Sequence, residues 1–590
     1  MSRSRKMHFQ TSIATRALLL RVAIAPLLLA LPLCAQAATD AGSVLQQIEA
    51  RPGFTLSAPK LQTPQTPTPP ATDSAGPVLY VKGFRIEGAT LLSPITLQSA
   101  VQGFSGKDLS LTQLQEAAWV IVRTYRQAGW LAHAFVPQQE IEGGVVTLQV
   151  VEARLGQVRI DYPSGVDLPR DRIQAMANAR LQAGQPINLQ QVDQLLLLLD
   201  DLPGTLANAS YAQGQAPGST DLLILLGQDK ALEATLSLDN YGALSTGTTR
   251  ASANLSLSNP AGIGDALQLQ AVQSSGSTYG RAAYSAPMTG ALGAKGWRSG
   301  VHATDMRYHL VGSFASLQAS GTAQTWGLYF TAPLVRQAEQ NLSAQLSADR
   351  KRFDNRALAN TSATDATTVS QYNLDVLRAG LSGNWFDQTL SAAQNNASLQ
   401  ASWGQVDLNN SPNASTDSQA ANTHGRFAKL NANFNREQSI TGQTSWTLQA
   451  GGQWANRNLD SSEKLYLGGA YGVRAYPSNE AGGSLGTTLS TGLKHRLDDA
   501  FTLQAFADWG RIQVYKTNLS ANSAEITSTN TQSLHGIGLS LNWRDTQGRE
   551  VTATWSRRRG NNPAANANTG ADSDGTRTFN RLWLSAALNF

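Results

Sequence analysis

From about Leu232 to Phe590 the chain runs in short stretches whose every second residue is apolar, and no long apolar run interrupts them. Ala251, Ala253, Leu255 and Leu257 alternate with Ser252, Asn254, Ser256 and Ser258. The same period returns at Leu342 to Ala348, Ala397 to Trp403, Ile537 to Trp543 and Val551 to Trp555. Successive side chains on a strand point to opposite faces, so each stretch predicts a strand with one oily and one polar face. A soluble sheet shares that pattern. The terminal stretch decides between them: Leu582, Leu584, Ala586, Leu588 and Phe590 share a face, and the last residue is aromatic. An outward apolar band edged by aromatics around a polar lumen is what a closed barrel in lipid requires. At about 20 to 25 residues for each strand with its loop, the region predicts roughly 14 to 18 strands.

Composition supports this after one correction. The formal charge of +5 suggests an anionic partner, but Arg3, Arg5, Lys6, Arg16 and Arg21 all precede Ala38, and that segment has no acidic residue. Without them the basic residues equal the 41 acidic ones in number. The basicity therefore belongs to a signal peptide over residues 1–37, with an apolar stretch from Val22 to Leu33 and a cleavage pattern at Ala35-Gln36-Ala37. Cys34, the one cysteine, precedes that cut, so the mature chain is expected to hold no disulfide and no cysteine metal site. Nothing points to nucleic acid.

Before the barrel, three pieces differ in character. Residues 38–51 predict a short amphipathic helix with Val44, Leu45 and Ile48 on one side and Asp40 near its start. Residues 52–77 carry prolines at 52, 59, 64, 67, 69, 70 and 77 and predict a semi-rigid linker. Residues 78–153 and 154–230 each predict one small α/β unit in the order strand, helix, helix, strand, strand. In the first unit, Ser93-Pro94 opens a helix, and Ser110 with Gln113 forms a capping box that starts a second. In the second, a strand at Val158 to Asp161 precedes helices at Pro169 to Ala177 and Leu189 to Leu199, and Leu222 to Gly227 is the last strand. Such units leave sheet edges that can accept a strand from another chain.

Asp508 stands out within the alternation. Along Phe501 to Gly510 the oily positions are Phe501, Leu503, Ala505, Ala507 and Trp509, which places Asp508 on the lumen side with Thr502, Gln504 and Phe506. A carboxylate is costly against lipid but can pair inside a wet channel. Chemistry-bearing motifs are otherwise lacking. Gly482-Gly483-Ser484-Leu485-Gly486 matches the nucleophile-elbow pattern but runs into an alternating stretch rather than a helix. No Walker lysine loop or His-Glu-x-x-His helix occurs, so no enzyme, cofactor or metal is expected. The polar stretches Leu358 to Thr368, Asn409 to Asn422 and Asn561 to Gly575 read as long surface loops, and Lys351, Arg352 and Arg557 to Arg559 as charges lining the lumen or near strand ends.

Several of these segments together resemble one family. The two tandem units, with Phe84-Arg85-Ile86-Glu87-Gly88-Ala89, Tyr125-Arg126 then Gly129, and Val145 to Glu152, resemble polypeptide-transport-associated (POTRA) domains. Gly468-Gly469-Ala470-Tyr471-Gly472-Val473-Arg474-Ala475-Tyr476-Pro477 resembles the superfamily's Val-Arg-Gly-Tyr/Phe loop motif, and Phe506-Ala507-Asp508-Trp509-Gly510 its Phe-x-Asp-x-Gly strand motif. The best match is the two-partner secretion branch, the haemolysin and filamentous-haemagglutinin secretion transporters. The resemblance implies a barrel of about 16 antiparallel strands behind two POTRA domains, spanning 231–590 in the outer membrane of a Gram-negative bacterium. It also implies that the loop folds into the barrel and Arg474 pairs with Asp508, and that the helix at 38–51 plugs the lumen at rest. Ala475 stands where the motif has glycine, so a left-handed backbone there would be strained. The implied partners are a large secreted exoprotein with a β-helical fold, the lipid outer membrane, and the barrel assembly machinery and periplasmic chaperones during biogenesis. The chain is expected to act as a monomer. A barrel-assembly insertase and a diffusion porin stand as alternatives.

Overall fold

The computed structural model describes residues 39–49, 78–216, 218–358, 363–517 and 530–590. The signal peptide over 1–37 and the proline-rich linker over 52–77 lie outside the described residues. Among those described, 16 strands form one closed antiparallel ring in chain order, from Leu232–Asp239 to Asn580–Asn589. The ring closes by pairing of the last strand with the first between Ser585↔Asp239 and Asn589↔Thr235. This is the barrel that the alternation predicts. No described helix is long and apolar enough to cross a membrane, and the crossing is made by strands.

Register turns the sequence alternation into two surfaces. On Gln340–Leu358 the outward positions Leu342, Ala344, Leu346 and Ala348 are apolar, and the next ones, Arg350, Arg352, Asp354 and Arg356, are charged. The oily band therefore ends between Ala348 and Arg350, where Arg350 pairs with Asp375 of the next strand at 2.8 Å. Above that level the wall continues. The strand Ala366–Asp387 has 22 residues, about 70 Å at a rise of about 3.3 Å per residue, well beyond a hydrocarbon layer of roughly 30 Å. Leu582, Leu584, Leu588 and Phe590 lie exposed on the outer face, and Trp583 between them is buried on the inner one.

The two ends of the barrel differ. Turns at one end are mostly short, such as 337–339, 440–443 and 497–500, and this end meets the second α/β unit. Arg336 of the barrel pairs with Asp201 at 2.8 Å, and Arg180 donates to the carbonyl of Ala294 at 2.7 Å. Several connections at the opposite end are long, among them 408–424 and 559–579. Another, between Thr444–Ala455 and Leu485–Arg496, turns back into the lumen.

Each α/β unit is built on a three-stranded sheet covered by two helices, and the first adds the antiparallel pair Val78–Val81 and Lys107–Ser110. In the first, Val145–Glu152 is central, parallel to Gly83–Glu87 and antiparallel to Ala132–Phe135. The helices Pro94–Val101 and Leu111–Gln127 start at Ser93 and Ser110, and both halves of the Ser110–Gln113 capping box are formed. Leu97, Ile121, Tyr125, Val146 and Leu148 fill its core. In the second, Ser219–Gln228 lies between Arg154–Asp161 and Thr205–Gln213, under helices Arg170–Asn178 and Leu189–Asp200. Thr205–Gln213 has a mixed Thr/Ala/Asn/Ser sequence with few large apolar residues, and periodicity alone did not locate it.

Candidate functional site in the barrel lumen

The connection 456–484 builds the site. Its tip folds on itself: Val473 N donates to Leu467 O at 2.7 Å, Gly469 N to Tyr476 O at 3.2 Å and Gly468 N to Glu480 O at 3.1 Å. Leu467, Val473, Ala475 and Tyr476 are fully buried, packing with Ile512 and Leu534 of the wall. Gly510 leaves the space that Leu467 and Val473 occupy. Ala475 does not have a positive φ, so its side chain causes no backbone strain. Its methyl instead faces Gly536, where an added Cβ would lie 2.8 Å away.

Arg474 projects from this tip onto the strand Phe501–Gln513. Its Nε donates to Asp508 Oδ2 at 2.9 Å, its Nη2 to Oδ1 at 2.7 Å and its backbone N–H to Oδ2 at 3.1 Å. Both contacts of the guanidinium fork are therefore made, and Ser490 completes the site by donating to Oδ1 at 2.8 Å and accepting from Nη2 at 2.9 Å. The guanidinium carbon lies 3.3 Å from the centre of the Phe506 ring, a cation–π contact. The Arg474 carbonyl accepts from Ser556 Oγ at 2.6 Å and Trp583 Nε1 at 2.7 Å. Four strands thus hold one residue. Ser490, Ser556 and Trp583 escaped the sequence reading. The available signal was parity, since all three occupy lumen-facing positions and a tryptophan there is unusual.

The start of the same connection meets other strands. Glu463 reaches Lys351 at 3.0 Å, Arg378 at 2.9 Å and Lys429 at 2.6 Å. Arg378 also pairs with Asp349. The stretch 561–575, read from sequence as a surface loop, turns inward in part. Asn562 and the backbone of Ser573 donate to Glu480 at 2.7 and 2.8 Å, and Asp572 pairs with the buried Arg558 at 2.8 Å. Unpaired carboxylates are too costly to bury, and Glu480 and Asp572 draw the loop over the inserted one. Arg352 lies on the outer face. Ser484 of the elbow-like run has its hydroxyl committed, accepting from Leu459 N at 3.0 Å and donating to Val514 O at 3.1 Å.

The helix Ala41–Glu49 also lies in the lumen. Val44, Leu45 and Ile48 are buried among the inward side chains Met306, Phe353, Leu374 and Phe427. Asp40 Oδ1 accepts from Ser43 N at 2.7 Å and starts the helix. Ala41 N donates to Asn355 Oδ1 at 2.8 Å and Gln47 Nε2 to Tyr241 O at 3.2 Å.

A family model described as haemolysin secretion/activation protein ShlB/FhaC/HecB matches residues 218–541, and one described as POTRA domain, ShlB-type, matches 79–153. The chain belongs to this family. Among curated relatives, the heme/hemopexin transporter protein HuxB of Haemophilus influenzae is 28% identical over 75% of this chain and 77% of its own. The hemolysin transporter protein ShlB of Serratia marcescens is 26% identical over 78% and 81%. Among solved structures, CdiB from Escherichia coli shares the fold with a TM-score of 0.59, at 19% identity over 91% of this chain and 94% of that one. Family membership makes this an outer-membrane two-partner secretion transporter, with its POTRA domains in the periplasm and an exoprotein as the molecule it moves. It favours that reading over the insertase and the diffusion porin.

Proposed function

We propose that translocation is gated by two removable elements in the lumen, the inserted loop docked through Arg474 and Asp508 and the helix carrying Val44, Leu45 and Ile48. The observation that carries this reading is how both are held. The wall consists of continuous strand pairing, whereas the loop tip and the helix are attached by side-chain contacts. Burying each of the helix's three apolar side chains contributes about 1.5–3 kcal/mol, a scale that cargo binding can offset. The linker over 52–77 would let the helix leave while staying tethered.

Capture of the exoprotein would begin in the periplasm, partly by strand addition to a POTRA edge. Among the described residues Thr205–Gln213 pairs with one neighbour only, which leaves an edge able to take an added strand. The cargo would travel unfolded, and its β-helical folding outside would make return unfavourable. The reading assigns the chain no catalytic step. The barrel assembly machinery and periplasmic chaperones would act before insertion, and one chain would be sufficient for conduction.

Secretion of a co-expressed cargo, compared between the native chain and Arg474→Ala, tests the role of the loop. Deleting residues 40–76 and recording single-channel conductance tests the helix. Undiminished secretion in the first experiment removes the loop from the mechanism, and unchanged conductance in the second removes the plug.

A further inference from the structure

We infer that Glu463 is a positioning residue for gating: held by Lys351, Arg378 and Lys429, it fixes the turn on which the lumen helix is seated. This rests on the plug reading above and adds to it a second anchor, on a different part of the wall from Arg474. Arg474 is fastened by the twelfth, thirteenth, fifteenth and sixteenth strands of the ring, through Ser490, Asp508, Ser556 and Trp583. Glu463 is fastened by the seventh, eighth and tenth. The inserted loop therefore spans the lumen and is tied at both ends of its path.

The anchor is buried and specific. Side-chain exposure is 2% for Glu463, 7% for Lys351, 15% for Arg378 and 8% for Lys429. The Glu463 carbonyl accepts from Lys429 Nζ at 3.0 Å and Gln453 Nε2 at 3.2 Å, so backbone and side chain are both held. Asp349 is a second carboxylate of the cluster, paired with Arg378 and 3.4 Å from His302. Lys351, Arg378 and Lys429 thus converge on one carboxylate, Glu463. Lifting the loop would leave those cations without their main counter-charge in a poorly solvated place, and breaking a buried pair on one side is strongly unfavourable.

The turn Ser461–Glu463 is also the helix's seat. Asp460 starts it, its Oδ1 accepting from Ser462 N at 3.0 Å and Ser462 Oγ at 2.6 Å. The helix backbone touches the turn at Gly42, where a Cβ would lie 2.3 Å from Ser461 Oγ and 2.9 Å from Ser462 N, closer than real Cβ contacts come. At the next residue, Ser43 O accepts from Asn479 Nδ2 at 3.3 Å, on the returning arm of the same loop. Both arms thus grip the first turn of the helix. If Glu463 loses its hold, the turn shifts and the helix loses a surface it matches only through a glycine.

The test uses the full-length transporter in planar lipid bilayers, with heat-modifiable gel mobility to establish a folded barrel. Glu463→Gln is expected to raise the open fraction roughly tenfold, and Glu463→Asp by clearly less. Combined with deletion of residues 40–76, Glu463→Gln is expected to raise the open fraction no further than the deletion does alone. A native-like open fraction in Glu463→Gln overturns the inference. So does a further rise when Glu463→Gln is added to the deletion, because Glu463 would then act independently of the helix. If Glu463→Gln does not fold, Lys429→Gln is expected to shift the open fraction in the same direction by less, and no shift overturns the proposal. Unchanged conductance after deletion of 40–76 overturns the plug reading itself, a separate result.

Discussion

The indole N–H of Trp583 donates to the carbonyl oxygen of Arg474 at 2.7 Å, tying the last strand of the barrel to the tip of the inserted loop. Ser556 donates to the same oxygen at 2.6 Å, so two strands share one acceptor. Trp583→Phe keeps most of the ring and removes the donor, which is expected to weaken tip docking by about 1 kcal/mol. Hydrogen exchange over residues 468–480 should rise accordingly, by roughly fivefold where exchange follows undocking. Combining it with Ser556→Ala should cost more than the two single effects together, because only the double variant leaves the carbonyl with neither donor.

Arg474 and Asp508 make two parallel contacts that a point charge cannot copy. Arg474→Lys is therefore expected to show most of the secretion loss of Arg474→Ala, despite keeping the charge. A double-mutant cycle with Asp508→Asn, read as loop undocking by hydrogen exchange, should give a coupling of about 2 kcal/mol. Coupling near zero would mean the pair is incidental to docking.

Gly536 leaves the space that the Ala475 methyl uses. Gly536→Ala brings two methyl carbons to 2.8 Å and should displace the tip, at a cost of about 1–3 kcal/mol. Ala475→Gly in the same chain should restore docking. Protease accessibility of the loop in intact cells reads both, and failure of the rescue would place the clash elsewhere.

In the first POTRA domain, Glu152 Oε1 accepts from Thr90 N at 2.6 Å, Leu91 N at 2.7 Å and Tyr125 Oη at 2.7 Å. Partial burial alone would raise its pKa, but these donors and the Thr90 hydroxyl together hold it below the ordinary 4.5. Because the folded-state value is depressed, the carboxylate's contribution is complete above the ordinary carboxylate range and disappears as pH falls through the folded-state value. Glu152→Ala should destabilise residues 78–153 by about 2 kcal/mol at neutral pH, seen as lost exchange protection in the full chain. The pH-dependent part of that difference should shrink on acidification.

The barrel was legible because a strand between lipid and water must alternate, and the parity of Leu582 to Phe590 carried through to the outer face. Local chemistry was legible too, in the Ser110 capping box and in the placement of Asp508 on a polar face. Glu463 was not. Its partners Lys351, Arg378 and Lys429 lie far away in sequence, and a charged residue between Ser462 and Lys464 looks like any solvated loop residue. The inward turn of 561–575 was hidden for the same reason: it depends on Glu480 and Arg558 being brought together by closure of the ring.

The amide of Phe590 donates to the carbonyl of Ala234 at 2.9 Å, so Phe590 helps to close the sheet. The cylinder cannot close before Asn580–Asn589 is available, because that strand seals the ring against Leu232–Asp239. Until then the ribbon has two raw margins and an uncovered greasy side, and it must be escorted across an aqueous compartment in that state. Weakening the pairing of Ser585–Asn589 with the first strand should therefore be felt first in biogenesis yield, ahead of any change in conduction.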